Sequence, residues 1–243
     1  MSDKKVWLVT GSSRGIGLAV AERALAAGDK VALLARGAEI NSLAERLGEN
    51  SIACQADVSQ REQVLAAVVR IMSTWGRLDI VVNNAGAHRG GKVERLSLVD
   101  WQTVIDTNLT GALNVISAAS PHLQRGGAVV NIGAVVGFRG FPGDSAYAAS
   151  KAGIAGLTRA LAIEFAARGI GVNLVIPGLV LTEMTRALSE KALESMRRKI
   201  PMGRFGEPDE IAEVVEWVAR SRYMTGAFVP ADGGLMSSFG VAG

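Results

Sequence analysis

Short apolar runs alternate along the chain with longer stretches whose apolar positions recur every three or four residues. The first pattern predicts buried strands, the second amphipathic helices. Val6 to Thr10 reads as a first strand and Gly11 to Gly17 as its turn. An amphipathic helix then runs to Ala27, with Gly28 as a C-terminal cap. Val31 to Ala35 is a second strand, a helix closes at Leu47, and Ser51 to Val58 is a third strand with its exit. A helix spans Gln60 to Trp75, and Leu78 to Val82 is a strand that turns at Asn83-Asn84-Ala85-Gly86. One long helix is predicted from Trp101 to Leu123, capped by Asp100. Gly127 to Gly133, Gly171 to Ile176 and Ala227 to Val229 complete the strands, and a helix from Ser145 to Arg168 joins the first two of these.

Strands that are apolar throughout, alternating with helices, predict an α/β domain with a parallel sheet covered on both faces. No repeat, linker or low-complexity segment divides residues 1–243, so a single domain is expected. In such sheets a ligand sits outside the strand C-terminal ends, at the point where strand order reverses. The turns that follow strands carry the polar and glycine-rich sequences: Gly11–Gly17, Arg36, Asp57, Asn83–Gly86, Gly133–Ala134 and Pro177–Thr182. They are expected to converge on one edge, with Tyr147 near enough to join them.

The first turn has the spacing G-x-x-x-G-x-G and opens a helix between two strands. Its backbone N–H groups and the helix dipole suit a pyrophosphate, which points to dinucleotide binding. Nineteen residues after Gly17, where an acid would accept from a ribose 2′-hydroxyl, stands Arg36. An arginine there suits a 2′-phosphate, with Arg14 in support, so NADP(H) is expected over NAD(H). Tyr147 and Lys151 are four apart and share one helix face. Bringing a phenol from its usual pKa to near 7 takes ~4 kcal/mol. One ammonium at ~4 Å supplies about that at an effective dielectric near 20. The pair is therefore a candidate proton donor and acceptor beside a carbonyl or carbinol.

Composition narrows the classes. Apolar residues make up 49% and glycines number 29, which implies a large core with many tight turns. No run of 18 apolar residues suggests a membrane span, and the N-terminal segment lacks a signal-peptide core. With Cys54 the single cysteine, a cytoplasmic setting is expected. His88 and His122 are far apart without metal-ligand spacing and read as surface residues; no metal is expected. Net charge is +3 without a basic block or stacking aromatics, which leaves nucleic-acid binding unsupported and an anionic small molecule or acidic partner open.

Thr10-Gly11-x-x-x-Gly15-x-Gly17, Asn83-Asn84-Ala85-Gly86, Asn108, Tyr147-x-x-x-Lys151 and Pro177-Gly178 occur in this order over nearly the whole chain. In this the chain resembles the short-chain dehydrogenase/reductase family. The resemblance implies a Rossmann-type domain, a homotetramer, and hydride transfer between a nicotinamide and a C–O centre. Carried over by position, Tyr147 is the general acid, Lys151 lowers its pKa and holds ribose hydroxyls, and Asn108 positions a water in a proton relay. Gly11, Ser13, Arg14, Gly15, Ile16 and Gly17 would meet the phosphates. Asp57 and Val58 would meet the adenine, and Asn83, Ala85 and Gly86 would flank its ribose. Pro177, Gly178, Val180 and Thr182 would hold the carboxamide and phosphates.

Thirteen residues before the tyrosine the family carries a serine that donates to the substrate oxygen; here it is Ala134. A methyl cannot donate, and the loss of one such donor costs ~10²–10³ in rate. An impaired enzyme is therefore expected, the alanine being first a deliberate replacement and second a natural variant. Within the family the chain is most similar to 3-oxoacyl-[acyl-carrier-protein] reductases, through Asp106–Gly111, Thr182–Ser189 and Ile200–Gly206. That likeness implies a 3-oxoacyl thioester as substrate, with Arg125 and Arg168 meeting an acidic carrier protein. Substrate choice is expected in His88–Val93, Gly137–Asp144 and a lid over 182–200, where Arg89 and Arg139 could meet an anion. Reduction of another ketone, or a silent NADP-binding module, are the alternatives.

Overall fold

The computed structural model describes residues 4–181 and 189–238. Seven parallel strands form one sheet in the order β3-β2-β1-β4-β5-β6-β7. They are β1 Val6–Thr10, β2 Lys30–Ala35, β3 Ser51–Gln55, β4 Leu78–Asn83, β5 Leu123–Ile132, β6 Gly171–Pro177 and β7 Phe228–Ala231. The register pairs Leu8 with Ala32 on one side and with Val81 on the other. The chain builds outward from β1 to β3 and then crosses back to lay β4 against β1. The turns after β1 and β4 therefore lie side by side at the reversal of strand order.

Helices cover both faces, and each face has its own core. On one, α3 (Arg61–Trp75), α5 (Gly111–Ala119) and α7 (Ser145–Ala166) bring Val64, Ile71, Val115, Leu161 and Phe165 onto the sheet. On the other, α1 (Gly15–Ala26), α2 (Glu39–Leu47) and α9 (Pro208–Arg220) bring Val20, Ile40, Leu43, Ile211 and Val215. Every residue of β1 and β4 is buried, which is why both segments are mostly apolar.

Three elements depart from expectation. The helix expected over Trp101–Leu123 is instead α4 (Leu98–Ile105), one π-helical turn at Asp106–Thr110, and α5. Pro121 then lies in a 3₁₀ turn, and Leu123 already belongs to β5. The cap of α4 is Ser97, whose hydroxyl accepts from Asp100 N at 3.0 Å. Asp100 sits inside the first turn, where a carboxylate favours the helix dipole. Helix α9 has no counterpart in the expected elements, although its signals are local. Pro208 occupies the first turn, Glu210 accepts from Glu207 N at 2.8 Å, and Ile211, Ala212, Val215, Val218 and Ala219 form its buried stripe. Short helices α6 (Val136–Arg139) and α8 (Glu190–Arg197) complete the set among the described residues. No described helix is long and apolar enough to cross a membrane.

Candidate active site

Thr10 ends β1 and ties its turn to the exit of β4. Its hydroxyl accepts from Asn84 N and Ala85 N, both at 3.0 Å, and donates to Val82 O at 3.3 Å. The Asn84 amide donates to Thr10 O and Gly11 O at 3.0 and 3.1 Å. Glycine is forced by this packing. A Cβ at Gly17 would lie 2.4 Å from Gly11 O and 2.5 Å from Asn84 Nδ2. Gly11 has φ +64°, and its Cβ would meet Ala85 Cα at 2.8 Å. The result is a backbone-lined cradle at the N-terminus of α1, continued by Ser13, Arg14, Gly15 and Ile16. The cross-link through Thr10 and Asn84 was not foreseen; a threonine directly before the glycine turn was its only sequence sign.

At the ends of the next two strands, Arg36 stands largely exposed with its guanidinium 3.8 Å from Asp57. The other Asp57 oxygen accepts from Ser59 N and Ser59 Oγ at 2.9 and 2.8 Å, so the carboxylate is fixed in place. Val58 is buried, its carbonyl accepting from Asn114 Nδ2 at 3.0 Å. Across the reversal point, Gly86 leads to Ala87, whose N–H and carbonyl are both held by the Asn108 amide, at 2.7 and 3.0 Å. Asn108 Nδ2 also donates to Ser150 Oγ at 3.0 Å. Asn83 turns into the core, donating to Asn131 Oδ1 at 2.9 Å, and its own Oδ1 is buried without a partner.

Tyr147 and Lys151 lie one turn apart in α7, with the ammonium 5.5 Å from the ring centroid. Lys151 is 4% exposed and donates to Ile132 O at 2.8 Å. Burial lowers its pKa to about 8. The phenol of Tyr147 is pushed up to about 12, by burial first and then by the Asp144 carboxylate. The expected lowering by Lys151 is therefore not seen in this geometry. The ammonium is drawn to the end of β5, and the Asp144 carboxylate acts against ionisation of the phenol. A phenol so placed keeps its proton at neutral pH, as an acid in reduction must.

His88, expected at the surface, is 35% exposed and has close partners. Its Nε2 lies 2.8 Å from Asp144 Oδ1, and its ring meets Tyr147 edge-on, centroids 5.2 Å apart and planes at 80°. Ala134 stands just beyond β5 at the start of the turn into α6, its carbonyl accepting from Gly137 N at 3.0 Å. Pro177 closes β6, and Gly178 N donates to Ala231 O at 3.0 Å. Val180 is buried and pairs with Gly206, while Thr182 lies outside the described residues. Arg139 is held by Leu235 O and Ser238 Oγ, and Arg89 pairs with Asp100 at 3.7 Å. Arg125 and Arg168 come together beside Gly169 and Ser120. That is the far end of α7, whose 22 residues span about 33 Å. Among the described residues no cluster of histidine, cysteine, aspartate and glutamate is placed to hold a metal.

A glycine cradle at the reversal point facing a Tyr-Lys helix is the arrangement of the short-chain dehydrogenases/reductases. The comparisons agree with the geometry. A family model described as Enoyl-(Acyl carrier protein) reductase matches residues 11–236. The 3-oxoacyl-[acyl-carrier-protein] reductase FabG of Staphylococcus aureus is 41% identical, covering 97% of this chain and 99% of its own. Carbonyl reductase family member 4 of Danio rerio is 44% identical over 94% of this chain and 96% of its own. Among solved structures, a blue fluorescent protein from a metagenomic library, in complex with NADPH, superposes with a TM-score of 0.90. It is 35% identical and covers 95% of this chain and 97% of that one. The chain belongs to the short-chain dehydrogenase/reductase superfamily and is FabG-like in sequence.

Proposed function

We propose that this chain is an NADPH-dependent oxidoreductase that reduces a carbonyl to a hydroxyl, with a 3-oxoacyl thioester as the leading substrate. The observation that carries the reading is the placement of Tyr147 and Lys151 on one turn of α7 beside the end of β5. The residues present fit the cofactor: the cradle at Gly11 and Gly17 excludes a Cβ, and Arg36 is exposed where a 2′-phosphate would lie. Gly11 to Gly17 would hold the pyrophosphate, Arg36 the 2′-phosphate, Asp57 and the Val58 backbone the adenine, and Lys151 the ribose hydroxyls. Pro177 to Thr182 would hold the carboxamide. The cofactor supplies the hydride. Tyr147 gives its proton to the carbonyl oxygen, and Lys151 stands behind it. With its amide engaged by Ala87 and Ser150, Asn108 would hold a relay water through its backbone carbonyl.

The FabG relatives favour the thioester, and the carbonyl reductase relative favours a broader ketone as the second reading. Arg125 and Arg168 lie about 30 Å along α7 from Tyr147. A carrier protein bound there would serve the site of a neighbouring protomer. Leu113 and Ile163 are exposed on α5 and α7, the faces we assign to a homotetramer. Lys199 lies over the Phe141 ring at 5.6 Å, which ties the segment after α8 to the loop before α7.

Ala134 occupies the position of the family serine, so the substrate oxygen lacks one donor. Ala134→Ser is expected to raise thioester-dependent NADPH oxidation by ~10²–10³. A rise confined to simple ketones would move the substrate to the second reading. No rise on any carbonyl would mean that Ala134 does not limit turnover, and no activity in either form with NADPH still bound would leave a binding module without catalysis.

A further inference from the structure

Two loops meet over the phenol of Tyr147, and each is pinned at both ends. In the loop after β4, the Ala87 backbone is clamped by Asn108 and Gly91 N donates to Gly143 O at 2.8 Å. The segment before α7 carries that Gly143 carbonyl and, next to it, Asp144, whose backbone N–H is held by Phe141 O at 3.1 Å. Between these fastenings His88 and Asp144 form a 2.8 Å pair. The same imidazole stands edge-on against Tyr147. A side chain at Gly90 would press on the imidazole, its Cβ 3.2 Å from Cε1. The contact is thus built by four separate anchors. It does not follow from the Tyr-Lys arrangement itself.

The charges around this pair are few. From the residue before α7 comes Asp144, and from α7 itself Tyr147 and, one turn on, Lys151, which is bound to Ile132 O. From the same loop comes Arg89, which donates to His88 O and pairs with Asp100 of α4. The carboxylate nearest the phenol works against its ionisation. An imidazolium on that carboxylate offsets it, whereas a neutral imidazole leaves it in force.

We propose that His88, locked by Asp144 and packed against Tyr147, is a positioning residue whose protonation sets how readily Tyr147 gives up its proton. The proposal rests on the reading of Tyr147 as general acid. It adds a pH-sensitive control on that acid, since histidine changes charge between about pH 5 and 8.

The test compares kcat for NADPH-dependent ketone reduction across that range in the chain and in His88→Gln, which keeps a donor for Asp144 but cannot titrate. We expect the variant to be up to about tenfold slower at the acid end, the effect of a one-unit loss of donor strength. At the alkaline end the two should be equal, with KM unchanged throughout. Equal loss at every pH would mean a structural role, and no loss would mean no role; either overturns the proposal. A second readout needs no turnover. The chain has two histidines and two tyrosines, so His122→Gln leaves one imidazole for NMR and Tyr223→Phe leaves one phenol for absorbance. The imidazole is expected to titrate with the midpoint of the kinetic limb. Asp144→Asn is expected to shift phenolate formation to lower pH. An imidazole that does not titrate in this range, or a phenol indifferent to Asp144, also overturns it. If Tyr147→Phe keeps full activity, the general-acid reading itself fails, and these two spectroscopic results still stand on their own.

Discussion

Lys151 carries the clearest physical tension in the site. It is a buried cation with one hydrogen bond from the structure, to Ile132 O, and burial alone brings its pKa down to about 8. The neutral form is therefore the one the fold favours. Its stabilising contribution is complete above the unfolded value near 10.5 and is lost as pH falls through about 8. Tyr147 has the opposite sign: its contribution is present below pH 10 and lost as pH rises through about 12. Between pH 8 and 10 the lysine acts alone of the two. Urea unfolding of the chain and of Lys151→Met across that window should show the chain gaining on the variant by about 1 kcal/mol per pH unit. Parallel curves would mean that the ammonium is better solvated than its 4% exposure implies. The sequence announced Tyr147 and Lys151 by their spacing. It could not announce the bond to Ile132 or the approach of His88, because both partners come from other strands' ends.

Elements α6 and α7 show how a small residue fixes a functional one. A Cβ at Gly137 would lie 2.9 Å from Lys151 C and 3.0 Å from Ala152 N, so α6 rests directly on the backbone that carries the lysine. Gly137→Ala is expected to cost about 1–3 kcal/mol, the usual penalty of overpacking. Thermal unfolding would read it, and an unchanged midpoint would show that α6 can lift without strain. The π-helical turn between α4 and α5 works in a similar way, since it contains Asn108, whose amide holds Ala87. Nothing in the apolar spacing of Trp101–Leu123 separates that turn from an ordinary helix, and one continuous helix was accordingly expected. Helix α9 was hidden for a different reason. Its buried stripe, Ile211, Ala212, Val215, Val218 and Ala219, is regular, but its start signal, Glu207-Pro208-Asp209-Glu210, reads as a charged loop unless the capping contact is recognised.

For the whole molecule, burial of both sheet faces gives most strands a short apolar run, such as Val31–Ala35 and Ile80–Val82, and that is why the strands were legible. Their order was not, although the glycine turn and the Asn83–Gly86 turn were expected on one edge, and Thr10 with Asn84 joins them there. The same convergence defines the central claim: a carbonyl is reduced at the strand C-terminal edge with Tyr147 as proton donor. The most direct measurement is NADPH oxidation by the chain and by Tyr147→Phe with the same 3-oxoacyl thioester and ketones, beside NADPH binding by each. Tyr147→Phe is expected to bind NADPH as the chain does and to turn over ~10²–10⁴ more slowly. Equal turnover by the two proteins, or no carbonyl-dependent oxidation by the chain despite bound NADPH, would contradict the claim.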